Sequence, residues 1–494
     1  MSVITISRMT YTGGEDFGEK LADKLGYTYI DRKHLIEKAE KMGVPVKLLM
    51  ESIGKPRGVV EHLRGEHDKY IACLTMLLCE EAIKGDMVYS GHAGHMLLLG
   101  IPSIFRLSII CDYNCRIKYL KKEHGFTNPE AKKYIIEKDE LIDKWGRYLY
   151  SVDWHNPHNF DMVVSLDESN GDKILETLVT RARKSDNQLD DNIKQSLGDL
   201  YLSSKAHFHL LNDSRTNSGK YIVTSDFGSV QVTAEPRFAE YLAYAPDVLT
   251  GIEGINDIHI TVALENILYI GERFDPNSEG FRNTIKMAQK RGWAVELVSM
   301  PAALNERELV EDNNHSLENF KKQDKSPNLN SREVGLAYCL EHLRRAECCG
   351  GSNHIYATPW TLVRILQRRP DYKLVVIGSM FMERSENIRK RFINDLKTLL
   401  IENVNIPIIE ASEIEEKFKF TKKLIIKTFS LLVMAVVLIS LVILFYKTTI
   451  DALHKFSPIT SKGFIVLIVM TITPLFAYIY GTFTGYILKW LHID

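Results

Sequence analysis

The sequence predicts an α/β protein that ends in a pair of transmembrane helices. Three observations predict this architecture. Short β-rich runs alternate with helical patterns over residues 1–185, the same alternation returns over residues 266–412, and two long apolar runs occupy residues 424–490. Strands that alternate with helices form a parallel sheet covered by helices, and long uncharged runs span bilayers as helices. Between the two α/β parts, residues 186–265 predict a smaller α+β module.

Composition and charge exclude several classes of protein. The chain has 494 residues, enough for several domains, and a net charge of −1, so it has no bulk attraction for nucleic acid. Its seven cysteines have neither the density of a disulfide framework nor the paired spacing of a zinc site. We therefore predict reduced thiols, no bound metal and no nucleic-acid partner. We also expect no signal peptide, because the first residues lack a basic start and a long apolar run.

The first α/β part contains a strand that runs into a glycine turn. The strand Ser2–Ser7 is followed by Thr12, Gly13 and Gly14, and a helix begins near Glu15. Main-chain N–H groups of such a turn and of the helix N-terminus can bind an anion. The pattern predicts a phosphate-binding turn, and an ordinary βα turn is the alternative. Further strand-like runs are Met87–Ser90, Ile104–Ile110 and Met162–Leu166, and helical patterns are Phe17–Leu25, Tyr70–Ile83 and Asn114–His124.

Longer motifs extend this first prediction. They are ITISRMTYTGGEDFGEKLADKLGYTYIDRKHLIEKA at the start, the turn Gly91–Gly94, and SVDWHNPHNFDMVVS near the end. In this order they resemble the cytidylate-kinase-like family of P-loop phosphotransferases, over about residues 1–180. The resemblance implies a P-loop kinase-like parallel sheet, with ATP and Mg²⁺ as cofactors. It implies phosphate or nucleotide binding by Arg8, Thr12, Gly13, Gly14, Asp31, Arg32 and Arg106, and, if the domain is active, catalytic roles for Arg116, Asp139 and Arg147.

The sequence departs from this family where phosphate is handled. In the family a basic residue follows the glycine turn, whereas this sequence has acids at that place. Other positions at which the family has glycine or arginine are also replaced. The residues concerned are Tyr11, Glu15, Asp16, His92, Glu140 and Ile142. Phosphoryl transfer depends on positive charge and positioning, and carboxylates at a phosphate site repel the ligand. We therefore predict a pseudo-kinase that binds a nucleotide weakly or serves as a scaffold. An active kinase of CMP or another nucleoside monophosphate is the alternative.

Residues 186–265 predict a hairpin, a helix and a third strand. The hairpin KYIVTSDFGSVQVTA turns at Asp226-Phe227-Gly228, and the helical stretch Phe238–Leu249 and the strand Ile255–Leu264 follow. This arrangement resembles a BON domain. The resemblance implies a small interaction module that associates with membranes and has no catalytic chemistry. An unrelated α+β connector is the alternative.

Residues 266–412 predict a second α/β domain. The segments NILYIGERFDPNSEGFRNTIKMAQKRGWAVELVSM and KLVVIGSMFMERSENIRKRF resemble universal-stress-protein domains and related adenine-nucleotide-binding folds. The resemblance implies a second nucleotide site, with Asp275 near the adenine and Gly378, Ser379 and Ser385 near the phosphates. The second glycine of that loop is missing, since Phe381 or Met382 stands there. The pair Cys348-Cys349 and His354 are predicted to be structural.

The two C-terminal apolar runs predict a transmembrane hairpin within residues 424–490. The first is TFSLLVMAVVLISLVILFY and the second extends from Gly463 to Leu488, and both have about the length that a bilayer core requires. Five lysines between positions 417 and 427 precede the first run, which places the soluble modules in the cytoplasm by the positive-inside rule. We therefore predict a multi-pass protein of the inner (plasma) membrane that contacts membrane lipid. Buried core helices are the alternative.

These parts together predict a membrane-anchored regulatory or scaffolding protein. Its degenerate kinase-like domain would sense a nucleotide and act on a membrane protein partner or on a homo-oligomer. Two other functions fit the same sequence: an active membrane-tethered nucleoside monophosphate kinase, and a structural oligomer with vestigial pockets. The acids beside the glycine turn favour the first function over the second.

Overall fold

The computed structural model divides the chain into two compact units, Met1–Glu413 and Ile414–Asp494. In the first unit it describes residues 3–9, 14–46, 64–91, 93–101, 104–150, 156–166, 170–184, 191–300, 329–354, 359–369, 372–382 and 384–413. In the second unit it describes only residue 414 and a few isolated positions. Within the described residues, no helix is long and apolar enough to cross a membrane. The hairpin predicted over residues 424–490 lies almost entirely outside them and stays a prediction.

The first sheet has five parallel strands in the order β2-β3-β1-β4-β5. The central strand β1 is buried along nearly its whole length, because helices cover both faces of the sheet. The predicted parallel α/β arrangement is confirmed here. The strands are β1 (Val3–Arg8), β2 (Thr28–Asp31), β3 (Met87–Ser90), β4 (Ile104–Ile110) and β5 (Met162–Ser165).

Seven described helices accompany this sheet. Asp112 shows how one of them begins, because its carboxylate accepts the main-chain N–H groups of Asn114 and Cys115 at 2.6 and 3.1 Å. The carboxylate of Asp31 accepts the N–H of His34 in the same way at 2.8 Å. The helices are α1 (Gly14–Leu25), α2 (Arg32–Lys41), α3 (Arg64–Lys84), α4 (Gly94–Leu97), α5 (Tyr113–His124), α6 (Asn128–Tyr150) and α7 (Gly171–Lys184).

The middle module is a three-stranded sheet packed on a long helix. Its order is β6-β7-β8, in which β6 and β7 form an antiparallel hairpin and β8 lies parallel to β7. Phe227 and Gly228 at the hairpin turn both have positive φ, of 48° and 84°, as a two-residue hairpin turn requires. The elements are α8 (Asp191–Asn212), β6 (Tyr221–Asp226), β7 (Ser229–Ala234), α9 (Ala239–Leu242), α10 (Ala245–Leu249) and β8 (Asp257–Val262).

The second parallel sheet has the order β11-β10-β9-β12-β13. Its strands are β9 (Glu265–Gly271), β10 (Trp293–Ser299), β11 (Cys349–His354), β12 (Tyr372–Ile377) and β13 (Ile408–Glu410). Its described helices are α11 (Glu279–Arg291), α12 (Leu329–Arg345), α13 (Pro359–Arg368) and α14 (Glu386–Asn403). The order in which strands are added reverses between β9 and β12, because β10 and β11 lie on one side of β9 and β12 and β13 lie on the other. Ligands of open α/β sheets bind at such points.

Candidate functional site at the carboxyl edge of the first sheet

The carboxyl ends of three neighbouring strands bring predicted ligand-binding residues together. Asp31 ends β2 and pairs in register with Ser90, which ends β3, and Ser90 pairs with Ile6 of β1. Arg8 ends β1 two residues beyond Ile6. The turn that joins β1 to α1 starts from this edge, but Thr12 and Gly13 lie outside the described residues. Gly14 is the first residue of α1.

Two buried tyrosines lie beneath this edge and gather charged groups around them. Burial raises the pKa of Tyr89, and the charges of Arg32 and Arg8 act against that rise. Burial likewise raises the pKa of Tyr70 on α3, and a hydrogen bond with Arg32 acts against it. A Cβ added to Gly91 would lie 2.5 Å from the Tyr89 hydroxyl oxygen and 3.0 Å from the Arg32 Cβ, so Arg32 lies close to that hydroxyl. The two arginines are residues that the sequence predicted, whereas neither tyrosine gave a signal.

The glycine turn after β3 packs directly on the Tyr89 ring. A Cβ added to Gly91 would lie 2.5 Å from the Tyr89 hydroxyl oxygen, and one added to Gly94 would lie 2.5 Å from the ring carbon Cδ1. Neither distance is compatible with a side chain, so the turn requires glycine at both positions. Packing on the Tyr89 ring therefore explains why the turn Gly91–Gly94 has glycine at both ends. His92, between them, lies outside the described residues.

The buried hydroxyl of Ser90 is a second feature of the edge that the sequence did not predict. Ser90 is 1% exposed, and its hydroxyl has no hydrogen-bond partner in the described part of the chain. A Cβ added to Gly18 of α1 would lie 3.1 Å from the Ser90 Cβ, so α1 and β3 approach each other closely here. Buried hydroxyl groups are usually satisfied by protein or water, so the Ser90 hydroxyl is a donor that a ligand or water at this edge could use.

Acidic residues at the edge have differing roles. Asp31 caps α2 through its bond to the His34 N–H, so its carboxylate already has a structural partner. Asp16 is exposed on α1, and the side chain of Glu15 lies outside the described residues. Glu140 is exposed on α6 and lies 3.6 Å from Lys144 in the next turn.

Arg106 does not join Arg8 and Arg32. Its two terminal nitrogens donate to the carbonyls of Ile104 at 3.1 Å and Ile101 at 2.7 Å, which lie at and before the start of β4. The guanidinium is thus directed toward the amino end of the strand, away from the edge where Arg8 ends β1. The predicted contact between Arg106 and an acceptor nucleotide at the carboxyl edge is incompatible with this placement.

A helix of the second α/β domain lies near Arg106. The pKa of Arg364 on α13 is lowered to about 10, first by burial and then by the charge of Arg106, while the charge of Asp161 acts in the other direction. Asp161 also accepts the main-chain N–H of Arg106 at 2.7 Å. A Cβ added to Gly100 would lie 3.4 Å from Ile365, the next residue of α13. Arg106 therefore belongs to a contact between the two α/β parts.

The predicted catalytic residues Arg116 and Asp139 bind each other. Their side chains form a bidentate ion pair with nitrogen–oxygen distances of 2.8 and 2.7 Å, and the Arg116 side chain is 3% exposed. This geometry is the strong form of a carboxylate–guanidinium contact, and it joins α5 to α6. Arg147, the third predicted residue, is exposed in the last turn of α6. The structure thus gives Arg116 and Asp139 a connection between helices.

The second predicted nucleotide site lies at the carboxyl edge of the second sheet. The main-chain oxygen of Ser379 accepts the N–H groups of Glu272 at 2.8 Å and Arg273 at 3.3 Å, so the turns after β9 and β12 are joined. Asp275 is exposed and its carboxylate accepts the N–H of Asn277 at 2.8 Å. Gly378 and Ser379 therefore lie near the residues that follow β9, and nucleotide binding at this edge stays a prediction.

A buried acid occupies the base of that loop. Glu272 is 2% exposed, and its carboxylate accepts the main-chain N–H of Met382 at 3.2 Å. A phosphate loop presents such N–H groups to the ligand, so this bond removes one donor and adds negative charge. Ser385 begins α14 without a side-chain cap hydrogen bond. Glu272 directly follows the apolar strand, but its burial gave no signal in the sequence.

His354 and the cysteine pair have surroundings that fit their predicted structural role. The Nε2 atom of His354 lies 3.4 Å from the carboxylate of Asp226, and the Ser352 hydroxyl donates to the same carboxylate. These contacts join β11 to β6. Cys348 and Cys349 are buried, and burial raises the pKa of the Cys348 thiol to about 12. Among the described residues, no group of three or more His, Cys, Asp or Glu could hold a metal ion.

Comparisons with known proteins agree with the geometry of the first domain. Residues 3–168 match the Cytidylate kinase-like family. This N-terminal segment is therefore P-loop kinase-like. No protein of curated function matches the chain.

Solved structures resemble parts of the chain at low sequence identity. An uncharacterised protein from Eubacterium ventriosum is 13% identical with a TM-score of 0.29, covering 37% of this chain and 98% of its own. Shikimate kinase from Bacteroides thetaiotaomicron is 16% identical with a TM-score of 0.23, covering 37% and 96%. A universal stress protein from Archaeoglobus fulgidus is 15% identical with a TM-score of 0.19, covering 30% and 93%.

Proposed function

We propose that this protein is a membrane-anchored regulatory protein whose N-terminal segment binds a nucleotide without transferring phosphate at a kinase's rate. Residues 424–490 would anchor it in the inner (plasma) membrane with its soluble modules in the cytoplasm. Occupancy of the first domain would then be signalled to a membrane protein partner or to another copy of the chain. ATP with Mg²⁺ is the first ligand to test.

One observation carries this proposal: Arg106 and Arg116, to which the resemblance gives nucleotide-binding and catalytic roles, have other partners. Arg106 donates to two carbonyls at the opposite end of its strand, and Arg116 is held by Asp139. Phosphoryl transfer requires several cations around the transferred group. Arg8 and Arg32 at the carboxyl edge support binding of an anion, which needs fewer of them.

The second nucleotide-like site supports the proposal less. Its loop carries a buried carboxylate, and one of its N–H groups already donates to that carboxylate. A triphosphate brings several negative charges, and a desolvated acid repels them. We therefore assign nucleotide binding to the first domain, and expect the second domain to bind ATP weakly or not at all.

A combined binding and turnover measurement tests the proposal. The full-length protein in detergent is heated with and without ATP and Mg²⁺, and phosphate transfer to CMP is assayed on the same sample. A ligand that binds only the native state raises the melting temperature. We expect a rise with ATP and little transfer to CMP. Transfer at an ordinary kinase rate of about 1–100 per second would refute the regulatory proposal.

A charge reversal beside the turn tests the location of the site. Glu15→Lys should tighten ATP binding, because it replaces a repelling acid by the cation that a phosphate loop uses. Glu19→Lys is the matched control, since Glu19 is exposed one turn further along α1. Equal effects of the two substitutions would indicate general electrostatic attraction and would remove support for a site at residues 9–14.

The alternative of an active nucleoside monophosphate kinase rests on the match of residues 3–168 to the Cytidylate kinase-like family. In that case Arg116 would have to leave Asp139 when an acceptor binds. Asp139→Asn would then reduce turnover without reducing ATP binding. If no transfer to CMP or to another monophosphate is measured with the unmodified protein, this alternative fails.

A further inference from the structure

The outer strand of the middle sheet presents an exposed apolar row. On β8 and just after it, Ile260, Val262 and Leu264 are 45%, 47% and 57% exposed. In register, Ile260 lies beside Val232 and Val262 beside Ala234, both of which are buried in the core of the module. The apolar face of the sheet therefore extends beyond the helices that cover it.

The same strand has an edge to which no described strand pairs. The sheet order is β6-β7-β8, so β8 pairs with β7 on one side only. Exposed edge strands are normally protected by lysine, proline or a bulge, because their unpaired N–H and C=O groups attract another strand. The β8 sequence DIHITV contains neither lysine nor proline. Its register with β7 is also regular over six residue pairs.

We propose that β8 is the contact between two copies of this chain, which pair antiparallel about Ile260 and join two three-stranded sheets into one of six strands. A symmetric contact uses the same surface of both copies, so its register must be self-complementary. Centred on Ile260, the pairing places Ile258 opposite Val262 of the other copy. On the other face, His259 lies opposite Thr261 and Asp257 opposite Ala263. Within β8, apolar residues meet apolar residues, and no like charges are opposed.

Neighbouring registers use less of β8. Centring the pairing on His259 places the two histidines opposite each other and Val262 opposite Asn256, so an apolar residue meets a polar one. Centring it on Thr261 pairs Ile260 with Val262, but it needs Leu264 opposite Ile258. Leu264 lies beyond the end of β8, and its N–H already donates to the carbonyl of Gly292 at 2.7 Å. The register centred on Ile260 is therefore the one that pairs β8 along its own length.

The β8 contact does not depend on nucleotide binding, although it would supply the homo-oligomer that the proposed regulatory function includes. The dimer can form when the ATP measurements fail, and ATP can bind when the dimer is absent. The two proposals are therefore overturned by different results.

Disulfide trapping tests both the contact and the register. Side chains directly opposite each other in an antiparallel pair are close enough for a disulfide. In the full-length membrane-reconstituted protein, Ile260→Cys should give a covalent dimer on oxidation with copper phenanthroline. The matched control is Ile401→Cys, because Ile401 is 57% exposed on α14 and far from β8 in sequence. A mixture of Ile258→Cys and Val262→Cys should cross-link better than either variant alone.

A charge substitution tests whether the contact holds the copies together without a covalent bond. Ile260→Lys should raise the dissociation constant of the dimer by about tenfold or more, because a lysine on an edge strand disfavours pairing with another strand. Ile401→Lys should leave it unchanged, and Ile260→Val should retain the dimer. Equal cross-linking of Ile260→Cys and Ile401→Cys would overturn the proposal. So would a monomeric unmodified protein, or an Ile260→Lys variant that dimerises normally with an unchanged melting temperature.

Discussion

The two parallel sheets of this chain end in carboxyl edges of different charge. At the first edge, the charges of Arg32 and Arg8 act on the buried Tyr89 hydroxyl and oppose the rise of its pKa. At the second edge, the carboxylate of Glu272 is buried beneath the turn that follows β12. Both edges follow the same rule for ligand placement in open α/β sheets. The difference shows that topology locates a candidate site, while the charges that surround it decide whether phosphate can bind there.

Buried charge in the second domain serves its fold. Glu296 on β10 is 2% exposed, and its carboxylate accepts two bonds from Arg369, at 3.2 and 3.0 Å, and one from the Tyr372 hydroxyl at 2.7 Å. These contacts lie away from the carboxyl edge, because Arg369 and Tyr372 precede or begin β12. The Glu296 contacts therefore stabilise the second sheet and belong to neither carboxyl edge.

The largest expected effect is on the stability of the second domain. Arg369→Leu leaves the Glu296 carboxylate buried without its cation, and breaking one partner of such a pair costs about 3–5 kcal/mol. Urea denaturation should show this loss, with ATP affinity unchanged. The control Arg345→Leu removes an arginine that is 74% exposed and pairs with Glu341 on the surface, so it should cost less than about 1 kcal/mol. Equal losses in both variants would contradict the comparison.

The next effect concerns a carboxylate of the middle module. Burial raises the pKa of Asp199 from 3.8 to about 6, although it accepts bonds from the Phe227 N–H and from Gln195. A raised folded-state pKa gives stability that is complete below pH 3.8 and is lost as pH rises through about 6. The loss should be on the order of 2–3 kcal/mol. Asp199→Asn should remove it, as measured by denaturation at several pH values.

The pKa of the neighbouring Asp226 is shifted in the opposite direction, so the contribution of Asp199 must be measured as a difference between two proteins. Its pKa is lowered: burial raises it, but the bonds and charge of His354 and the bond from Ser352 act more strongly in the other direction. Its contribution to stability therefore falls as pH falls, opposite to that of Asp199. Subtracting the curves of the unmodified protein and Asp199→Asn isolates the Asp199 contribution.

A smaller effect sharpens the contrast between the two edges directly. Arg8→Gln should raise the dissociation constant for ATP about tenfold, because a hydrogen bond to a charged group contributes about 1.5–3 kcal/mol. Arg273→Gln changes the arginine that stands two residues beyond the central strand of the second sheet, and ATP affinity should not change. Titration calorimetry measures both. A larger loss of ATP affinity in Arg273→Gln than in Arg8→Gln would indicate that the nucleotide site lies in the second domain.

The smallest effect compares two helix starts. Asp112→Ala removes two cap hydrogen bonds at the start of α5 and should destabilise the protein by about 1 kcal/mol. Ser385→Ala removes a side chain that makes no cap bond at the start of α14, so its cost should stay below about 0.5 kcal/mol. ATP affinity should be the same in both variants. A clear loss of ATP affinity in Ser385→Ala would restore the predicted second site.

Much of the fold was predictable from local patterns. The apolar runs of β1, β3, β4 and β5 predicted a parallel sheet, and the Phe227-Gly228 turn predicted the β6–β7 hairpin. The strand β11 was not predicted, because its sequence CGGSNH has little β-propensity. It becomes a strand by pairing with β10, and a Cβ added to Gly350 would lie only 3.0 Å from that neighbour's backbone. Tertiary packing therefore overrides propensity at this position.

The candidate site was predictable only in part. Arg8, Asp31 and Arg32 follow strands in sequence, and the structure brings them to one edge as expected. The tyrosines beneath them gave no signal, because Tyr70 lies in a helix and Tyr89 in an ordinary apolar strand. Thr12 and Gly13 lie outside the described residues, so the prediction of a phosphate turn there remains to be tested by ATP binding.

By itself the sequence determined the alternation of strands and helices and the glycines at positions 91 and 94, because these depend on neighbours along the chain. Only the tertiary structure decided which arginines face a ligand edge. Arg116 meets Asp139 and Arg106 meets the carbonyl of Ile101 because of how helices and strands pack. The pairing of a charged side chain depends on which groups the packed elements place beside it, and spacing along the sequence does not record that.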